Sequence, residues 1–114
     1  MAFSDVLTLS NSKVDLHIRL SSPGVYLLDR TTTGGFTVNY VGRSDDDLAG
    51  RLKKWAAEGT YKYFKFEYAN SARAAFEMEC KLYHSYRNLD NVVHPARPKN
   101  TNYSCPVAGC RALL

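Results

Sequence analysis

The hydrophobic positions of this 114-residue chain change period several times, and each change marks an element. One run is Pro23, Gly24, Val25, Tyr26, Leu27 and Leu28; a second is Val38, Asn39, Tyr40, Val41, Gly42 and Arg43. Both are β-branched and aromatic, and Thr31 to Gly35 between them holds small, flexible residues. The pattern predicts a hairpin with a tyrosine near a glycine in each arm. Upstream, Val14, Leu16, Ile18 and Leu20 alternate with Asp15, His17 and Arg19. That period of two predicts a strand or extended arm within residues 1–22. Tyr61 to Ala69 sets Lys62, Phe64, Phe66 and Tyr68 against Tyr63, Lys65 and Glu67, as a third strand with unlike faces would.

Two stretches have helical spacing instead. Ser44 is a good N-cap, Asp45, Asp46 and Asp47 put negative charge where the helix dipole favours it, and Gly59 is a stop, so a helix is expected over Asp45 to Glu58. Its apolar stripe is Leu48, Leu52, Trp55 and Ala56. Ser71 caps a second helix with the stripe Ala72, Ala75, Phe76, Leu82, Tyr83 and Tyr86. From Asn91 onward three prolines favour an ordered loop over a helix.

Two charged residues interrupt these stripes. Arg51 lies three residues after Leu48 and four before Trp55, so it projects from the apolar side, whereas Lys53 and Lys54 project from the other. Such a charge is costly unless paired or at the mouth of a cleft, which leaves a structural ion pair or an anion-binding role. Glu79 falls on the stripe of the second helix, while Glu77, turned away by roughly 200°, faces elsewhere. A buried carboxylate there implies a cation partner: an arginine, a lysine or a metal.

Composition narrows the classes. The length fits one domain, and no apolar run approaches the ~18 residues of a membrane span. With no secretion signal at the N-terminus, a cytoplasmic location is expected, and three cysteines fit reduced thiols better than a disulfide framework. Net charge is +4 with a pI near 9.0, which favours polyanionic partners. Lys53, Lys54, Lys62 and Lys65, interleaved with Tyr61, Tyr63, Phe64 and Tyr68, suit contact with a nucleic-acid backbone, or equally a solvated basic surface. Cys105 and Cys110 with His84 or His94 offer part of a zinc site. Their spacing is looser than a usual knuckle and a fourth ligand is not evident, so two thiols packing a terminal loop is the expected state, with a facultative disulfide as a further option.

Taken in order, Gly24-Val25-Tyr26, Tyr40-Val41-Gly42, an arginine on the next helix and a glutamate on the last one resemble the GIY-YIG nuclease family, over roughly Pro23 to Arg87. The resemblance implies an α/β (α+β) fold: a small antiparallel three-stranded sheet flanked by helices. It divides the chain into an N-terminal arm or extra strand (1–22), a nuclease core (23–90) and a C-terminal extension packed on the core (91–114). It also implies a site of Tyr26, Tyr40, Arg43, Arg51 and Glu79. The tyrosines and Arg43 would handle nucleophile and phosphate, Arg51 would bind the phosphate, and Glu79 would hold magnesium (or manganese). Trp55 stands where many members have histidine, and the late asparagine of the family corresponds to Asn88 or Asn91.

The implied activity is metal-dependent endonucleolytic hydrolysis of DNA, or RNA. Phosphodiester hydrolysis needs a nucleophile, charge neutralisation in the transition state and relief for the leaving oxygen. Arg51 supplies a fixed fork donor and Glu79 one carboxylate, which is enough for magnesium. A phenol with an ordinary pKa near ~10 is a poor base, so Tyr26 or Tyr40 is either acidified or orients water. Two other readings stand beside this one: a non-catalytic nucleic-acid-binding module on the same fold, and a small structural or interaction domain in which Arg51 and Glu79 form an interior ion pair.

Overall fold

In the computed structural model, which describes residues 3–30 and 35–110, both tyrosine-bearing runs are strands. They are β2 (Gly24–Asp29) and β3 (Tyr40–Ser44), paired antiparallel with Tyr26 opposite Gly42 and Leu28 opposite Tyr40. Most of the reversal expected at Thr31 to Gly35 lies outside the described residues. β4 (Tyr63–Tyr68) pairs antiparallel with the other side of β2, as its alternating pattern requires. The sheet has four strands, not three. Leu7–Thr8 forms β1 on the outer edge of β4, giving the order β1-β4-β2-β3. A two-residue strand leaves no periodicity to read. It is held in place by backbone bonds from Ser4 N–H to Phe66 O (2.9 Å) and from Leu9 N–H to Lys62 O (2.8 Å).

The alternating stretch after β1 is a helix, α1 (Asn11–His17), capped by Ser10 Oγ accepting from Lys13 N–H. Positions two apart include positions four apart, so period two and one helical face coincide at Val14 and Ile18. Those two are buried, whereas Leu16 and Leu20 are 57% and 59% exposed, which identifies the helical period as the one that packs. The next helix, α2, runs Leu48–Glu58, starting later than the acidic run suggested. Asp47 is its cap, accepting from Gly50 N–H at 3.1 Å. Ser44 Oγ instead accepts from Asp47 N–H (2.9 Å) and closes the turn between β3 and α2. Gly59 ends the helix in the left-handed region at φ +78°, as expected. Ser71 caps α3 (Ala72–Ser85) through Ala74 N–H.

The helices lie on opposite faces of the sheet. Tyr26, Leu28 and Phe64 point to one face and pack with Val14 of α1, Ile18 just after it, and Leu48 and Leu52 of α2. Val25, on the opposite face, packs with Ala75 of α3, with Met78 and Leu82 against them. Burying such side chains at about 1.5–3 kcal/mol each is what holds the layers together. Residues 91–110 contain no helix or strand and bury Pro95 and Pro98. Their first residue, Asn91, ties the segment to the sheet. Its Oδ1 accepts from Val41 N–H (3.0 Å) and its Nδ2 donates to Val41 O (2.8 Å) on the outer side of β3. Among the described residues no helix is long and apolar enough to cross a membrane.

Candidate active site

Register and a glycine bring the first tyrosine into place. Tyr26 lies across the backbone of Gly42, its partner on β3, so closely that a Cβ at position 42 would stand 2.6 Å from Tyr26 Cε1 and closer still to Cζ and the hydroxyl. Only a residue without a side chain fits there. Gly24 is constrained likewise: a Cβ would meet Glu67 O at 2.7 Å and Leu48 Cδ2 at 2.8 Å. The glycine beside each tyrosine is therefore a packing requirement at a strand crossing. Tyr26 is almost fully buried, and its hydroxyl accepts a 2.8 Å hydrogen bond from Trp55 Nε1 of α2. Trp55 also packs against Tyr40, which stands on the same face of the sheet as Tyr26, with ring centroids 4.8 Å apart and planes tilted by 53°.

Arg43 follows on the opposite face, beneath α3. It is the cation that Glu79 required: Arg43 Nη1 donates to Glu79 Oε1 at 2.8 Å, with both side chains about one-tenth exposed. The same guanidinium donates from Nε to Asp45 Oδ1 (2.6 Å) and from Nη1 to the backbone oxygen of Ala96 (2.6 Å), and sits over the Phe76 ring. Arg43 is thus engaged on every side. Arg51 differs from expectation in the other direction. It is exposed rather than turned into the core, and it makes no side-chain hydrogen bond or ion pair among the described residues. The interior pair Arg51–Glu79 does not form; Arg43 takes that place.

All five residues nonetheless line one cavity of roughly 190 Å³: Tyr26, Tyr40, Arg43, Arg51 and Glu79 surround it together with Gly42, Asp45 and Ala96. Tyr26 and Tyr40 reach it from the α2 face and Arg43 and Glu79 from the α3 face, so it lies at the margin of the sheet formed by outer strand β3. Burial pushes the Tyr26 phenol well above its ordinary range, against the lowering effect of the Trp55 bond. Burial also pushes Tyr40 up, helped by the Glu79 charge and opposed by Arg51. Both tyrosines are therefore neutral phenols at neutral pH, suited to orienting an oxygen rather than to removing a proton. Glu79 is likewise pushed up by burial, with Arg43 pulling it back.

Glu79 is the side chain of this cavity that could hold a divalent cation. Its Oε1 is held by Arg43, while Oε2 accepts no hydrogen bond among the described residues and belongs to a carboxylate lining the cavity. A single carboxylate suffices for a cation that keeps several waters. The lysines are dispersed. Lys53 pairs with Asp15 of α1 at 2.5 Å, Lys65 lies over the Phe36 ring, and Lys54 and Lys62 are exposed. Glu77 is away from the cavity, bonded to Arg73 one turn earlier. Asp45 and Ala96 were missed as site residues. Asp45 reads as helix-start charge, and a backbone carbonyl in an irregular segment leaves no mark in the sequence. No family profile, curated protein or solved structure matches the chain.

Proposed function

We propose that this chain is a divalent-metal-dependent endonuclease of the GIY-YIG type acting on DNA. The observation that carries the reading is convergence: five residues, scattered from position 26 to position 79 and singled out for their types and order, line one polar cavity. In that cavity Arg51 is the guanidinium left to meet a phosphate, and its planar fork suits the equatorial oxygens of the transition state. The Tyr26 hydroxyl accepts from Trp55, so its own proton is available to an oxygen in the cavity. Tyr40, less buried, stands beside it to orient the attacking water. Arg43 fixes Glu79 and Asp45 in place. A magnesium or manganese ion on Glu79 would supply charge neutralisation for the phosphate and the leaving oxygen. Exposed Lys54 and Lys62 offer contacts to the nucleic-acid backbone.

One feature favours a second reading, a nucleic-acid-binding module without hydrolysis: Arg43 already neutralises Glu79, which lowers the attraction of that carboxylate for a cation. Nicking of supercoiled plasmid separates the two. Wild type is expected to nick with magnesium or manganese and not with chelator. Glu79→Gln, which keeps an acceptor for Arg43 and leaves Asp45 as its counter-ion, should abolish nicking while the fold stays intact, and Glu77→Gln should leave nicking unchanged. Equal loss in both variants would defeat the assignment of Glu79. A wild type that shifts DNA in gels but cuts no duplex, single-stranded or branched substrate establishes the binding module instead.

A further inference from the structure

A second cluster of ligand-type side chains lies outside this cavity. His84 stands in the last turn of α3, His94 lies in the irregular segment after it, and Cys105 and Cys110 flank a turn closed by a 3.1 Å bond from Cys110 N–H to Val107 O, with Gly109 in the left-handed region. The ligand atoms of these four residues all lie within 4.8 Å of one another. We propose that they form a structural zinc site, Cys2His2 in composition, which fastens residues 94–110 to α3.

Three observations support this. The first is dimension. With Zn–N near 2.0–2.1 Å and Zn–S near 2.3 Å, a tetrahedral centre sets its ligand atoms about 3.3 Å apart for two nitrogens, about 3.6 Å for nitrogen and sulfur and about 3.8 Å for two sulfurs. His84 Nε2 and His94 Nε2 are 3.3 Å apart, and His94 Nε2 and Cys110 Sγ are 3.4 Å apart. The longest separation, 4.8 Å at most, closes with about 1 Å of side-chain movement. The second is orientation. His94 Nδ1 lies 2.9 Å from the Pro95 carbonyl, which can only accept, so the ring proton is on Nδ1 and the Nε2 lone pair faces the cluster. A backbone carbonyl on the far nitrogen is the usual support of a metal-bound histidine. The Tyr83 ring, 5.5 Å from His84 and 5.4 Å from His94, walls the same two imidazoles.

The third is need. A segment with no helix or strand and two buried prolines has little apolar burial of its own to fix it, and a bound metal is a common substitute for core in such pieces. Four protein ligands of mixed nitrogen and sulfur complete a tetrahedral shell, which suits zinc. Binding converts the two thiols to thiolates with release of both protons, leaving a site with no net charge from ion plus thiolates. The site also reaches the cavity. Ala96, whose carbonyl accepts from Arg43, is two residues beyond His94, so metal binding sets the position of one of the groups that hold Arg43.

Cobalt substitution tests the proposal whether or not the chain cuts DNA. The full chain, reduced and stripped with chelator, is expected to take up one tightly held equivalent of Co²⁺ at this site, apart from any weaker binding at Glu79. It should then show the intense visible bands of a tetrahedral centre with thiolate-to-cobalt charge transfer, and lose both when zinc is added. His94→Ala and Cys110→Ser should weaken zinc binding by more than the ~10- to 100-fold that follows loss of an outer partner. Cys80→Ala, which removes the buried thiol of α3 beside Cys105, should retain stoichiometry and spectrum. Failure of the reduced wild type to bind cobalt, a spectrum without charge transfer, or equal loss in Cys80→Ala would overturn the site. So would a Cys105–Cys110 disulfide that persists in protein kept under reductant.

Discussion

Two arginines, eight positions apart, have opposite surroundings, and that difference sets what replacing each one is expected to do. Arg43 is about one-tenth exposed and bonded to Glu79, Asp45 and Ala96, so it is part of the structure that shapes the cavity. Removing it leaves the Glu79 carboxylate buried without its cation; Arg43→Ala should lower stability by about 3–5 kcal/mol, and Arg43→Ala/Glu79→Gln should recover much of that. Arg51 is exposed and unbonded among the described residues, so Arg51→Lys should leave the melting temperature unchanged. As a phosphate ligand, however, a lysine lacks the planar fork, and single-turnover cleavage should fall by at least ~10²-fold. Thermal melts and cleavage rates on the same three variants check both expectations, and a large melting shift in Arg51→Lys would remove it from the site. The sequence marked Glu79 as needing a cation but could not choose between partners, because helical spacing places side chains relative to one helix and says nothing of a strand residue packed beneath it.

At the level of elements, the glycine–tyrosine crossing makes β2 and β3 a single unit. Gly42→Ala would drive a methyl group into the Tyr26 ring. We expect a loss of about 1–3 kcal/mol from overpacking. Trp55 is the sole tryptophan and donates to Tyr26, so its fluorescence should change as well. An unchanged emission spectrum with unchanged stability would mean that Tyr26 does not rest on Gly42. β2, β3, β4 and α3 were legible because each has a long enough run of one period together with a cap or turn residue. The exceptions have physical causes. β1 is two residues long, α1 has a pattern compatible with both periods, and α2 has three acidic residues in succession before it, of which only Asp47 caps. Tail contacts depend on where an irregular segment returns in space, which no local pattern encodes. The gathering of His84, His94, Cys105 and Cys110 is of this kind.

For the whole molecule, net charge +4 is modest, and its effect depends on which cations are uncommitted. Lys53 is paired with Asp15 and Lys65 lies on Phe36, so Lys54 and Lys62 should contribute more to backbone contact. Each of Lys54→Ala and Lys62→Ala is expected to weaken DNA binding without regard to sequence and to reduce the slope of log K against log salt by about 0.9, whereas Lys53→Ala should do less. Fluorescence anisotropy over a salt series reads this directly, and equal slopes for all three variants would contradict it. The sheet, for its part, ends at β3, whose outer side would otherwise present unpaired N–H and C=O groups to solvent. Asn91 answers both groups of Val41 with one side-chain amide, behaving as a strand a single residue long. A second molecule that approached this edge to extend the sheet would have to displace it first. The position that completes the fold at its open margin is thus also a local barrier to self-association through intermolecular strand pairing.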